Sequence, residues 1–388
     1  MDASRFIARK LRFKGKIAMV SVAISSFVMI LAVSVSAGYR QEIRRGVSAV
    51  SGDIQLTSYT RNYLTDENPI SSNPPFLEDI MSVKGVKKIE PAVYRAGIIK
   101  NRDEIHGVVF KGTPSYSDTV SLGVSIPQRL SDLMGLEPGA DMLTYFVGDK
   151  VKARRFKVSS IYEGILDSEQ NLTVYASMRD LQRLNEWDSC QVSAIEVTLD
   201  DEFRQAAMIE AKNSEIGTLA LLNAGEEEEP LVSTSVVDNY SQLFDWLNLI
   251  DSNVLLILVL MTVVGGFNMV SGLLILLFRN ISTIGILKSM GMTDRAIGKL
   301  FLRVSSDLVL KGMAVGNVLA MVFCLIQGAT HFIKLNPENY FVSYVPVALD
   351  VPMILIADVI AFAVIMLLLL LPSMFISKVD PARTVRSA

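Results

Sequence analysis

Four stretches of this chain are long and apolar enough to leave water altogether: Ile17–Ala37, Val254–Phe278, Leu308–Gln327 and Met353–Ile376. A hydrocarbon core of about 30 Å takes roughly 20 apolar residues in a helix rising about 1.5 Å per residue. Backbone that crosses lipid must satisfy its own hydrogen bonds, so stretches of this kind fold as transmembrane helices. Half of the 388 residues are apolar, yet 20% are charged. That is too many charges for a pure membrane bundle and too many apolar residues for an ordinary soluble protein. The expected architecture is an α-helical membrane protein of four transmembrane helices. A large α+β extracytoplasmic domain is inserted between the first and second spans.

The segments follow in order. Residues 1–16 carry Arg5, Arg9, Lys10, Arg12, Lys14 and Lys16 against one acid, Asp2, with Phe6, Ile7, Leu11 and Phe13 interspersed. Such a basic amphipathic arm suits the cytoplasmic face of a membrane. The first span, 17–38, is longer than the 7–15 apolar residues usual in a signal peptide and reads as retained, although Val35-Ser36-Ala37 is a passable cleavage site. Residues 39–250 form the extracytoplasmic domain with a stalk, and 251–278 the second span. A loop at 279–305, a third span at 306–327, an outer loop at 328–350, a fourth span at 351–376 and a tail at 377–388 complete the chain. Lys and Arg number six in the N-terminal arm, five from Arg279 to Ser305 and three in the tail, against Lys334 alone after span three. The positive-inside rule then puts both termini and the 279–305 loop in the cytoplasm.

Within 39–250, Ile54 and Leu56 alternate with polar neighbours as on a half-buried strand, and Ile195, Val197 and Leu199 do the same. Val108–Phe110, Met142–Val147 and Val151–Ile161 read as further strands, the last two joined by a hairpin at Gly148-Asp149. Phe76–Met81 suits a short helix, and Ser177 with Asp180 a capping box opening a second. Glu226–Glu229 reads as a solvated loop. Leu243, Trp246, Leu247 and Ile250 recur at helical spacing and run into the second span as an amphipathic stalk.

Chemistry is sparse. His106 and His331 are too few for a metal centre, Cys190 and Cys324 build no disulfide framework, and no phosphate-binding glycine loop occurs. The chain is expected to bind no metal or cofactor, to catalyse nothing and to bind no nucleic acid. Two groups of residues stand out instead. Gly312, Gly316 and Ala320, followed by Cys324, recur at every fourth position of span three and permit close helix packing. Asp358 lies inside span four, with Asn317 at similar depth on span three, a possible intramembrane polar site.

The stretch Gly265–Phe301 organises the rest. After the second span, Arg279–Met290 is short and semi-polar, with Ile281, Ile284 and Leu287 on one arc if helical. Gly291 can close that helix in a left-handed conformation, and Thr293 can cap the helix that returns to the membrane. The run Ile284-Gly285-Ile286-Leu287-Lys288-Ser289-Met290-Gly291 resembles the signature of the FtsX-like permeases, which include MacB-type ABC permeases and the LolC/LolE-type lipoprotein-releasing permeases. Arg279 and Thr283 stand where that signature carries acids. Tyr340–Val347, Val379–Arg386 and several weaker motifs between Ile126 and Leu184 also resemble LolC/LolE-type sequences.

The resemblance implies a coupling helix that contacts a separate ATPase subunit, formed by Arg279, Ile281, Ser282, Thr283, Ile284, Gly285, Ile286, Leu287, Lys288, Met290 and Gly291. It implies a bacterial inner-membrane permease that extracts lipoproteins from the outer leaflet for transfer to the outer membrane. The partners would be two copies of the ATPase, which holds ATP and Mg, a second identical or homologous permease, the lipoprotein cargo and a periplasmic carrier. A MacB-like exporter and an FtsX-like signalling permease that controls a periplasmic hydrolase are the alternatives. The Ile281, Ile284 and Leu287 face is expected to sit in a groove of the ATPase.

Overall fold

A computed structural model describes residues 16–59, 68–101, 104–116, 122–148, 150–164, 172–223, 230–336, 340 and 342–373. Arg5–Lys14 of the basic arm, Asp149, Glu226–Glu229 and the tail Val379–Arg386 lie outside them. The chain divides into a helical unit, Met1–Arg40 with Leu247–Ile333 and Val345–Ala388, and an α+β unit, Gln41–Trp246 with Lys334–Tyr344.

Helix α1 (Lys16–Ser51) opens the chain, and Gly52, at φ +69°, turns it into strand β1 (Ile54–Ser58). There follow β2 (Ile70–Ser71), α2 (Leu77–Ser82), β3 (Val86–Asn101), β4 (Glu104–Thr113), β5 (Gly123–Pro127) and α3 (Gln128–Met134). Next come β6 (Asp141–Phe146), β7 (Lys152–Tyr162), β8 (Thr173–Ser177), α4 (Met178–Asn185), β9 (Gln191–Val192) and β10 (Ala194–Leu199). Helix α5 (Ala206–Leu222), β11 (Leu231–Ser235) and α6 (Val236–Asn239) finish the α+β unit. The remaining helices are α7 (Ser241–Arg279), α8 (Ile281–Ser289), α9 (Asp294–Thr330), α10 (Val351–Leu368) and α11 (Leu370–Ser373).

Nine strands form one sheet in the order β11-β1-β10-β3-β4-β8-β5-β7-β6, and β6 pairs back onto β3 through Ile98↔Tyr145 and Ile99↔Thr144. Strands β3, β4, β8, β5, β7 and β6 therefore close a barrel. The first half of the long β3, Val86–Ala92, belongs instead to the open part with β10. Phe110, Phe146 and Phe156 meet in a buried cluster, with ring centroids 5.2, 5.0 and 6.1 Å apart. Gly97 makes the closure possible: a Cβ there would come within 2.9 Å of Thr144 Cγ2 and 3.0 Å of the Phe146 ring.

Two local expectations are corrected. Strand β1 is buried along its whole length rather than half-buried, because Gln55 faces a buried polar cluster and not solvent; its Nε2 donates to Tyr94 OH at 3.1 Å. Ser177 occupies the N-cap of α4 without a side-chain cap, because the Asp180 carboxylate accepts from Leu122 N at 3.3 Å instead. The capping box forms at Ser235 and Asp238, opening α6.

Among the described residues, α1, α7, α9 and α10 (extended to Pro372) are the four helices long and apolar enough to cross a membrane. The apolar core of the helical unit joins Val22 and Met29 of α1, Leu273 and Leu276 of α7, Ile297 and Phe301 of α9, and Ala361 and Ile365 of α10. The connection from α9 to α10 is held by Gln327, whose amide donates to Val345 O at 3.0 Å and accepts from Ile333 N at 3.2 Å. Gly38 lets this connection lie on α1, since a Cβ there would stand 2.4 Å from Pro346 O.

Candidate functional site

Among the described residues no cluster of metal-ligating side chains occurs, so the candidate surfaces are those that pack or dock. Two were expected: the short helix after the second span, and the small-residue and polar positions of spans three and four.

The first is the short helix between two spanning helices. Helix α7 stops at Asn280, whose side-chain amide turns back to donate to Leu276 O at 2.8 Å. Helix α8 closes at Gly291, at φ +89°, with Gly291 N donating to Lys288 O and Met292 N to Leu287 O. Thr293 then caps α9, its Oγ1 accepting from Ala296 N at 3.4 Å. Lys288 reaches across the turn to Asp294 at 2.8 Å. The hairpin is thus fastened by its own residues, and the Lys288 ammonium is engaged within it.

The face of α8 is where expectation and structure part. Ile284 is only 1% exposed and packs in the core of the unit with Leu273, Ile297 and Phe301, while Leu287 packs at the edge of that core. Gly285 is buried beside it. Of the Ile281, Ile284 and Leu287 arc, Ile284 therefore faces inward and the other two are half-buried. The sides that point away carry Ser282, Thr283, Ile286 and Met290, with Arg279 exposed one turn earlier. Ile286 and Met290, four residues apart on one side, are 52% and 79% exposed. The apolar periodicity was legible in the sequence, but two aliphatic rows share this short helix and only packing decides which faces in.

The second surface lies between spans. Gly312 and Gly316 bring α9 against α1: a Cβ at Gly316 would sit 2.4 Å from Ala23 O, and one at Gly312 2.9 Å from Met19 O. Ala320 continues the stripe, buried with Ile30 and Val33. At this seam Ser26 Oγ donates to Asn317 Oδ1 at 2.6 Å, and Asn317 Nδ2 donates to Asp358 Oδ2 at 2.5 Å. Asn317 and Asp358 are thus joined, and Ser26 extends the chain of bonds to a third helix. Ser26 was not singled out in the sequence, because one serine among several in span one carries no periodic signal. Lys311, near the middle of the same helix, pairs with Asp307 on the exposed surface.

Residues 255–381 match the FtsX-like permease C-terminal family. The chain is similar over 431 aligned residues to the lipoprotein-releasing system transmembrane protein LolC of Neisseria meningitidis serogroup B, at 25% identity, with 98% of this chain and 97% of that protein covered. It is similar at 23% identity to the lipoprotein-releasing system transmembrane protein LolE of Haemophilus influenzae, over 96% of this chain and 94% of that protein. Among solved structures, it is similar to the extracellular domain of the ABC-type transporter YknZ from Gram-positive bacteria, at 13% identity and a TM-score of 0.30, covering 47% of this chain and 99% of that one. The periplasmic region of MacB from Actinobacillus actinomycetemcomitans is similar at 10% identity and a TM-score of 0.30, covering 52% of this chain and 95% of that one.

Proposed function

We propose that this chain, which matches the FtsX-like permease C-terminal family over residues 255–381, is one permease subunit of an ABC complex that extracts lipoproteins from the outer leaflet of a bacterial inner membrane. A separate ATPase, present in two copies and holding ATP and Mg, drives it, and a second permease completes the pair. Both termini and α8 are cytoplasmic, and the α+β unit is periplasmic and passes cargo towards the outer membrane through a carrier. The full-length similarity to LolC and LolE proteins supports the lipoprotein cargo.

One observation carries the ATPase contact. A helix made at the turn between two spanning helices keeps an exposed apolar pair, Ile286 and Met290, after its other aliphatic row has been used for folding. The contact face is therefore Ile286 and Met290 flanked by Ser282, Thr283 and Arg279, and Gly291 sets its edge. Burying one aliphatic side chain contributes about 1.5–3 kcal/mol, which is roughly a 10- to 100-fold change in affinity per residue.

The test is the double substitution Ile286→Asp and Met290→Asp in the full chain, co-expressed with the second permease and the ATPase. The chain should insert at normal yield, recover little ATPase on purification and release no lipoprotein from spheroplasts. Normal ATPase recovery with normal release would overturn the assigned face. Normal assembly in the unsubstituted complex without any lipoprotein release would overturn the cargo.

A further inference from the structure

The last carbonyls of a helix have no partner within the helix, and α1 ends against the sheet where such orphans would be buried. Val50 O accepts from Lys111 Nζ at 2.7 Å, so an ammonium from β4 caps the negative end of the helix. Tyr94 OH lies 3.2 Å from the same carbonyl and bonds Glu196 Oε1. Glu196 Oε2 receives Lys111 Nζ at 2.8 Å, with the two side chains 3% and 7% exposed. Two residues earlier Ser48 Oγ donates to Asp53 Oδ1 at 2.7 Å. Asp53 Oδ2 accepts from Leu199 N at 2.7 Å and from Arg204 Nε at 3.2 Å. The backbone of Asp53 donates to Val197 O and accepts from Val236 N, both at 2.9 Å. Val236 opens α6, which ends at Asn239, and α7 begins at Ser241. Asp53 thus joins the strand that leaves α1 to the strand that leads out again, which are paired at Ile54↔Ser235.

Buried ion pairs are weak contributors to stability, since apolar residues of equal volume often serve as well. Two such pairs at one helix end serve geometry better than stability. We propose that Glu196 with Lys111, and Asp53 with Arg204, are positioning residues that fix the direction in which α1 leaves the sheet, so that movement of this helix is passed to β1 and β10. The value of that movement rests on the permease reading; the geometry does not.

The test uses full-length chain in nanodiscs, with nitroxide labels on cysteines replacing the exposed Arg45 of α1 and Lys87 of β3, in a Cys190→Ser, Cys324→Ala background. The unsubstituted chain should show one narrow label–label distance. Lys111→Met, which strands the Glu196 charge, and Lys111→Met with Glu196→Gln, which removes both charges, should each lose that single peak while circular dichroism keeps the fold. Asp53→Asn, nearly isosteric, should broaden it less. A broad distance in the unsubstituted chain overturns the proposal, and so does a narrow one in folded double variant. In the assembled complex the double variant should hydrolyse ATP with less lipoprotein released per ATP. A complex that moves no lipoprotein at all would defeat the proposed function and leave the distance result standing.

Discussion

The two units solve the same problem, a buried polar group, in opposite ways. The α+β unit buries charges as ion pairs, Lys111 with Glu196 and Asp53 with Arg204. Within its spanning helices the helical unit meets the Asp358 carboxyl with an uncharged hydroxyl and amide, through Ser26 and Asn317, and Asn268 donates to Ser21 between α7 and α1 at 2.5 Å. In a sheet domain the folding force is apolar burial, which easily outweighs a few desolvated ion pairs. Between helices in lipid that force is absent. Close approach and modest hydrogen bonds hold the bundle, which is why glycine matters there. The difference teaches that the first unit places Lys111 and Glu196 inside as a pair, whereas inside the second the backbone-to-backbone distance is the sensitive quantity.

The sharpest way to break this comparison is Ile284→Asp. It strips a buried aliphatic contact and buries a carboxylate with no cationic partner in the surrounding apolar cluster. The cost is about 5 kcal/mol or more, and the chain should be lost from the membrane fraction. Normal yield would mean that Ile284 does not pack inward. Next is Lys111→Met, which leaves Glu196 charged and unpaired by any cation, at about 3–5 kcal/mol. Adding Glu196→Gln should restore much of the thermal midpoint, and failure to do so would mean that the pair is not treated as a unit.

Gly316→Leu should cost about 1–3 kcal/mol by forcing α9 from α1, read as a lowered melting temperature in detergent, whereas Gly135→Ala, with nothing within 4 Å, should show only the strain of its φ of +60°. Asn317→Ala removes both amide bonds of the intramembrane chain and should cost roughly 1 kcal/mol, the usual range for bonds between membrane helices. A loss several times larger would show that Asp358 behaves as a buried charge of the first kind. Smallest for the fold is Ile286→Asp, within about 0.5 kcal/mol because the site is exposed. Its effect should fall on ATPase recovery alone, and a drop in yield would place Ile286 inside the fold beside Ile284.

The four long apolar stretches, the small-residue stripe of span three, the Gly291 stop and the Thr293 cap are all legible in the sequence. Each depends on composition or on spacing along a single helix, and lipid or backbone sterics leave few alternatives. The neighbourhood of Asn317 and Asp358 was legible as a matter of depth alone, whereas Ser26 was not, because rotation about a helix axis decides which serine meets the amide. The same holds for α8, where two aliphatic rows are equivalent until neighbouring helices bury one. Strand β1 shows it again: alternation implied a wet face, and that face was filled by Tyr94 and Glu196 from strands far along the chain. Barrel closure by β6 onto β3 is not written in either strand, since it requires Gly97 to meet Thr144 across 47 residues. What the chain determines by itself are quantities local to one element: length, period, cap and stop. Which face turns inward, and which charge meets which, are decided only by tertiary packing, because those choices depend on atoms that sequence distance does not bring together.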